Sequence, residues 1–541
     1  MTIRELEGTV ASGDRWSLLE IDLNLPTVPQ ALVAAARRWP DRPAFHFIDL
    51  EFVETWSELN ARVLTVAAGL AKIGVRPGDR VGIMLGNVPA FPAAWLGILA
   101  TGAVAVPMNP KYTARELAFI VEDTGMCALF VASAQRDLVT QLPSTSTLNR
   151  ARVIVDGSRD EWGITLTELM DVEPLAEPHA IGSADDLANI QYTSGTTGLP
   201  KGCRLAHGYW MLMGRCGAAL RGLDSPVTNI LADHPFFYIQ NQSYFAHALT
   251  SGAQLHVTHG LSLSRYIGWL HQYDIDMAWV SDALLTLPES PDDSTHNLRL
   301  GPTDGIDKSL HATLEKRFNM VVREWFASTE IGLGTVSPWN DETAVGTGSM
   351  GYPAPYRETK IINEDLAEVP RGGAGELCVR GPHMMQGYWN RPEINAELFL
   401  EGGWFRTGDI VRVDPDGQHY FVGRAKDMVR RGGENIAATE VEQQLEAHPA
   451  VATAAVIPVP DPRRGEEIKA ILVLKDGTTV TPQELETWAR GRLASYKVPR
   501  YVEFRAELPY TPSGKVRKVE LKSESSDLRV GAFDLVEGVQ R

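Results

Sequence analysis

The stretch that most constrains this chain runs from Tyr192 to Gly202, where four hydroxyls (Thr193, Ser194, Thr196, Thr197), three glycines (Gly195, Gly198, Gly202) and Lys201 lie between two apolar segments. Glycine lets backbone N–H groups turn toward an anion, hydroxyls add donors and lysine adds a point charge. The stretch therefore reads as a loop folded over phosphate, since an ordinary polar turn rarely gathers so many donors beside a lysine. Its spacing is not the Gly-x-x-x-x-Gly-Lys-Ser/Thr of P-loop nucleoside triphosphatases, because Lys201 follows Gly198-Leu199-Pro200 and precedes a glycine. Kinase or GTPase chemistry is disfavoured accordingly.

At 541 residues, 44% hydrophobic and 22% charged, the chain has the make-up of a soluble globular protein with more than one domain. A net charge of −17 argues against a nucleic-acid partner, so the nucleotide implied by the loop is a small one. Cys127, Cys203, Cys216 and Cys378 lack the spacing of a zinc site or a disulfide framework. Near the N-terminus, Arg4, Glu5 and Glu7 leave no basic segment leading into an apolar one, and a cytoplasmic protein is expected. Val81 to Pro110 carries no charge and is long enough for a membrane helix, yet Asn87, Pro89, Pro92, Pro107 and Asn109 interrupt it. It reads as strand, turn, buried helix and strand.

An arm to about residue 27 precedes an amphipathic helix over Val28 to Arg38. Thr55-Trp56-Ser57 caps a second helix, with apolar positions Leu59, Val63, Val66, Ala67 and Leu70 and a stop at Gly74. Thr113 and Glu116 form a capping box for a third, ending at Gly125. Short apolar runs between them (Val81 to Met84, Val104 to Val106, Ala128 to Val131) make an α/β fold of parallel sheets covered by helices. The alternation continues to Val280. From Thr359, short strands and glycine-rich turns indicate a small β-rich subdomain. Beyond Gly423 a smaller α+β pattern resumes, with a helix begun by Thr481-Pro482-Gln483-Glu484. The expected division is a large N-terminal domain over 1–423, a small mobile C-terminal domain over 424–523 and a disordered tail over 524–541.

The loop resembles the phosphate-binding signature of the adenylate-forming superfamily, which includes acyl- and aryl-CoA synthetases, adenylation domains and firefly-type luciferases. Further stretches are similar to that family's signatures in the same order, from about residue 40 to 520. Trp325-Phe326-Ala327-Ser328-Thr329-Glu330 looks like its Tyr-Gly-x-Thr-Glu, although a helix cap Ser-Thr-Glu is the local alternative. The resemblance implies adenine against Phe326, Ala327 and Ser328, phosphate at Thr329, and Mg²⁺ at Glu330 with Thr196. Asp409 of Arg406-Thr407-Gly408-Asp409 would accept both ribose hydroxyls, and Arg424 would reach ribose or phosphate. Lys426 would be the hinge of the C-terminal domain, and Gly432 and Gly433 would let a pantetheine arm pass. Lys515, in Pro509-Tyr510-Thr511-Pro512-Ser513-Gly514-Lys515, would bridge the carboxylate and the α-phosphate; a solvated basic turn is the local alternative.

The resemblance places the acid pocket between the loop and the Thr-Glu stretch, over His234 to Pro302. His234, Phe237, Tyr238 and Gln242, with Gln240 and Asn241, put phenol and amide groups where many fatty-acid enzymes are more apolar, unless they are a loop of solvated amides. Gly301-Pro302-Thr303-Asp304-Gly305 replaces the family's usual turn, and Asp304 would repel a carboxylate or pair with an amine. The expected reaction adenylates a small or polar carboxylic acid with ATP and Mg²⁺, releases pyrophosphate and passes the acyl group to coenzyme A. Three alternatives remain: loading of a carrier protein, ATP-dependent nitrite activation for aryl-amine diazotisation, and non-catalytic nucleotide binding. A homodimer is also left open.

Overall fold

The computed structural model describes residue 16 and residues 21–143, 146, 148–158, 163–178, 182–193, 200–221, 227–431, 434–493, 495–511 and 514–541, with only the backbone of residues 221, 426, 434 and 435. These residues form two compact units. One lies within Met1–Thr193, Lys201–Thr359 and Val379–Phe405, the other within Lys360–Cys378 and Arg406–Arg541.

The first unit contains two largely parallel sheets. In the nine-stranded one, Pro43–Phe47, Gln254–Val257, Asn229–Ala232, Met277–Ala278, Leu300–Thr303 and Val321–Ser328 run side by side in parallel, with antiparallel strands at both edges. In the seven-stranded one, parallel strands end in the antiparallel pair Leu187–Thr193 and Lys201–Ala206. Helices start where the side chains dictate. Thr27, Thr55 and Thr113 each close a capping box, and Gly125 ends its helix with φ +58°, a conformation glycine adopts without a Cβ clash. Val81 to Pro110 is strand Arg80–Met84, the wholly buried helix Ala90–Ala100 and strand Val104–Pro107. Among the described residues no helix is long and apolar enough to cross a membrane.

The second unit begins upstream of the boundary expected after Gly423. Strand Trp404–Val413 pairs antiparallel with His419–Arg424, and Thr439 Oγ1 donates to Val422 O at 3.2 Å, tying this strand pair to helix Ala438–Glu446. Its main sheet contains the long hairpin Val451–Asp461 and Gly465–Leu474, joined by the parallel strand Tyr501–Arg505. The tail expected to be disordered is ordered. Phe533–Asp534 pairs with Tyr501–Arg505 and with Val539–Gln540. Asp534 is fully buried between Arg500 and Arg541, both at about 3 Å, and Lys469 Nζ donates to Leu528 O at 2.7 Å. Long-range ion pairs, which leave no local period, hold this segment.

Two histidines in the first unit are buried without a proton. Burial lowers His207 to about 4 and, with His46 adding to it, His256 to about 3. Their folded values lie below the ordinary value of 6.5, so below that pH the unfolded chain binds protons the fold refuses. Stability is therefore expected to fall as pH drops from 6.5 toward 4, by about 3 kcal/mol for each histidine. Denaturant titration at pH 7, 5.5 and 4 measures this; His256→Gln should flatten the profile.

Candidate active site

Parallel strands present functional groups at their C-terminal ends. In the first unit, Asn229–Ala232, Met277–Ala278 and Leu300–Thr303 are followed within two residues by His234, Trp279 and Asp304. The Asp304 carboxylate accepts the Trp279 indole N–H at 2.8 Å, and Trp279 meets the His234 ring edge-on with centroids 5.0 Å apart. His234 Nδ1 in turn lies 2.8 Å from the buried Asp233 carboxylate. Glu324 fixes the turn from behind, accepting the N–H groups of Gly305 and Ile306 at 3.0 and 2.8 Å, while burial raises its carboxyl above the ordinary value. At Gly301 a Cβ would fall 2.3 Å from Val280 Cγ2, so glycine there serves strand packing. His234 and Asp304 are thus linked through Trp279, a residue that sequence reasoning passed over.

The amides after Tyr238 are not a solvated loop. They belong to helix Ile239–Ser251 and its N-terminal approach, where the Phe237 and Tyr238 rings meet with centroids 4.6 Å apart. Gln242 is fully buried, donating to Phe236 O at 2.8 Å and Tyr238 O at 3.3 Å and accepting from Asn189 at 2.9 Å. Asn241, equally buried, donates to the carbonyl of His234. These two side chains hold the wall together through bonds to the protein itself.

At the root of the loop expected to bind phosphate, Thr193 and Lys201 are antiparallel partners, and Thr193 Oγ1 donates to Lys201 O at 3.4 Å. Ser194, Gly195, Thr196, Thr197 and Gly198 lie outside the described residues. Asp123 fixes this root: its carboxylate accepts from Tyr192 OH at 2.6 Å and Arg391 Nη1 at 3.0 Å, and its carbonyl accepts from Trp389 and Asn390. Phe326, Ala327 and Ser328 end strand Val321–Ser328, and Thr329 and Glu330 form the turn into Gly332–Val336. The stretch is a β-hairpin, which removes the helix-cap alternative. Tyr388 OH donates to Glu330 Oε1 at 2.8 Å, and Lys201 Nζ lies 4.8 Å from the centroid of the same Tyr388 ring. Cys203 is buried nearby, its thiol pushed well up by burial and further by Glu330, with Lys201 opposing. The other three thiols are also raised, Cys216 and Cys378 to about 12, so none is primed as a nucleophile.

In the second unit, Asp409 is 1% exposed and faces Arg424 across the strand pair, with Arg424 Nε at 2.8 Å from Oδ1. Ala425–Asp427 makes one 3₁₀ turn before strand Met428–Arg431, which places the backbone of Lys426 between two strands. The Lys426 side chain, Gly432 and Gly433 are outside the described residues. Lys515 is exposed on a tight turn, where its carbonyl accepts from Thr511 N at 2.7 Å, its own N–H donates to Thr511 Oγ1 at 3.0 Å, and Gly514 has φ +80°. A groove of about 990 Å³ lies elsewhere in the first unit, lined by residues such as Thr228, Asp276, Arg299 and Met320 that precede strands. It is at the strand ends away from His234, Trp279 and Asp304.

The first unit thus carries two α/β sheets, and the second is a smaller α+β arrangement. Residues 32–389 match the AMP-binding enzyme family and residues 440–515 its C-terminal domain. The chain is 33% identical over 477 residues to a feruloyl-CoA synthase of an Amycolatopsis species, covering 86% of this chain and 93% of that one. It is 32% identical over 532 residues to a long-chain-fatty-acid–CoA ligase of Salmonella typhimurium, covering 91% and 93%. The o-succinylbenzoate CoA synthetase of Bacillus subtilis, solved with its acyl-adenylate intermediate, aligns with a TM-score of 0.80 at 27% identity over 93% of this chain and all of that one. The chain belongs to the AMP-binding enzyme family, as an AMP-forming acid–CoA ligase.

Proposed function

We propose that this enzyme adenylates a small or polar carboxylic acid and transfers the acyl group to free coenzyme A. The observation that carries the chemistry is the placement of a cation, Lys201, and a hard carboxylate, Glu330, on one tyrosine at the root of the phosphate loop. The attacking carboxylate and the α-phosphate are both anionic, so the barrier is set by charge that must be neutralised as it concentrates. Lys201 would hold the phosphates that leave, and Asp409 the ribose. Lys515 would approach the carboxylate and α-phosphate for adenylation and withdraw as the second unit turns about Lys426 for thioester formation, each step needing different groups in one confined space. Among the described residues no three His, Cys, Asp or Glu side chains could cage a metal. The Glu330 carboxylate suits Mg²⁺ shared with the nucleotide phosphates, and Mg²⁺ would there offset phosphate charge.

Substrate preference rests on Asp304, an exposed carboxylate oriented by Trp279 at the strand ends. A polar group on the acid that donates a hydrogen bond, such as a phenol or an amine, would complement it, and a plain alkyl chain would not. The feruloyl-CoA synthase relative fits this reading better than the fatty-acid one. Pyrophosphate release with hydroxy- and amino-aryl acids, short dicarboxylates and alkyl acids tests it, with nitrite plus an aryl amine as a parallel arm and a carrier protein as the competing acceptor. Asp304→Ala is expected to lower kcat/KM for the donor-bearing acid about tenfold or more while changing alkyl acids little. Faster turnover of long alkyl acids by the wild type would contradict the preference.

A further inference from the structure

Tyr388 touches both of the opposite charges that the proposed chemistry needs. Its hydroxyl donates to Glu330 Oε1 at 2.8 Å, while its ring faces the Lys201 ammonium at 4.8 Å. The side chain is 5% exposed, and its backbone is fixed on both sides: Asn395 Oδ1 accepts its N–H at 2.7 Å, and Asn395 Nδ2 donates to its carbonyl at 2.9 Å. The next residue, Trp389, donates its backbone N–H to Gly202 O at 2.7 Å, and an isolated bridge pairs Tyr388 with Cys203. The tyrosine is therefore built rigidly onto the strand that begins with Lys201.

We infer that Tyr388 is a positioning residue that keeps Glu330 and Lys201 apart and separately available, one for a divalent cation and the other for phosphate. A glutamate and a lysine brought together would otherwise neutralise each other in a direct ion pair. The phenol takes one lone pair of the carboxylate and fixes its orientation, leaving its remaining lone pairs for a metal. The ring holds the ammonium through its negative face without accepting a proton, leaving all three N–H donors for phosphate oxygens. The inference rests on the reading of Lys201 and Glu330 given above, and extends it to a residue whose partners lie far away in sequence.

Two variants separate the functions of hydroxyl and ring. Tyr388→Phe keeps the ring and removes the hydroxyl that donates to Glu330, and Tyr388→Leu removes the ring as well. Binding of a non-cleavable α,β-methylene ATP analogue is followed by calorimetry, and Mn²⁺ binding to that complex by electron paramagnetic resonance, so neither readout requires turnover. Tyr388→Phe is expected to weaken Mn²⁺ about tenfold while metal-free analogue binding changes less than twofold. Tyr388→Leu is expected to weaken analogue binding itself, about fivefold. A Tyr388→Phe protein that binds Mn²⁺ as the wild type does, or that only melts earlier, overturns the inference; this variant decides alone if Tyr388→Leu does not fold. If instead the wild type binds no ATP analogue, the parent reading of the site fails, a result distinct from failure of Tyr388.

Discussion

Replacing Lys515 by alanine is expected to lower acid-dependent pyrophosphate release by about 10²–10³-fold, while thioester formation from supplied acyl-AMP stays within a few-fold of the wild type. Lys515 is exposed, and the turn that carries it is closed by backbone bonds to Thr511, so the substitution leaves the fold alone. Two half-reactions that need different groups at one place can be separated in this way. Loss of both by the same factor, or of neither, would contradict the role given to Lys515.

The second large effect is expected at Glu330. Glu330→Ala should reduce ATP–pyrophosphate exchange by about a hundredfold at moderate Mg²⁺, with partial recovery at high Mg²⁺, because a carboxylate that helps hold the cation has gone. Its carbonyl still accepts the Met385 N–H, so the hairpin turn should persist, and an unchanged melting temperature would confirm that. Full activity without recovery behaviour would remove Glu330 from the metal site.

Local features were legible in the sequence because their partners are local. The Thr55, Thr113 and Thr481 boxes each close within three residues, and the helices begin where those threonines stand. The loop and its companion stretches carried the family, which the match over residues 32–389 supports. What escaped notice is held over distance. Trp279 reaches Asp304 across 25 residues, Tyr388 reaches Glu330 across 58, and Arg391 reaches Asp123 across 268. Two aromatic residues and an arginine packed into Tyr388-Trp389-Asn390-Arg391 were the signal available, and it points to a fixed site only once its partners are known. The tail misled for the same reason: Arg500 meets Asp534 across 34 residues, and no period announces an ion pair.

In the proposed reaction a carboxylate oxygen attacks the α-phosphorus of ATP and later leaves with AMP when the coenzyme A thiol takes the acyl group. To follow that oxygen, the best acid of the panel is supplied with ¹⁸O at both carboxylate positions, together with ATP, Mg²⁺ and coenzyme A, and the products are weighed by mass spectrometry. One ¹⁸O atom is expected in each AMP, with unlabelled pyrophosphate and one acyl thioester per AMP. Label in inorganic phosphate alongside ADP, or AMP without label, would contradict it.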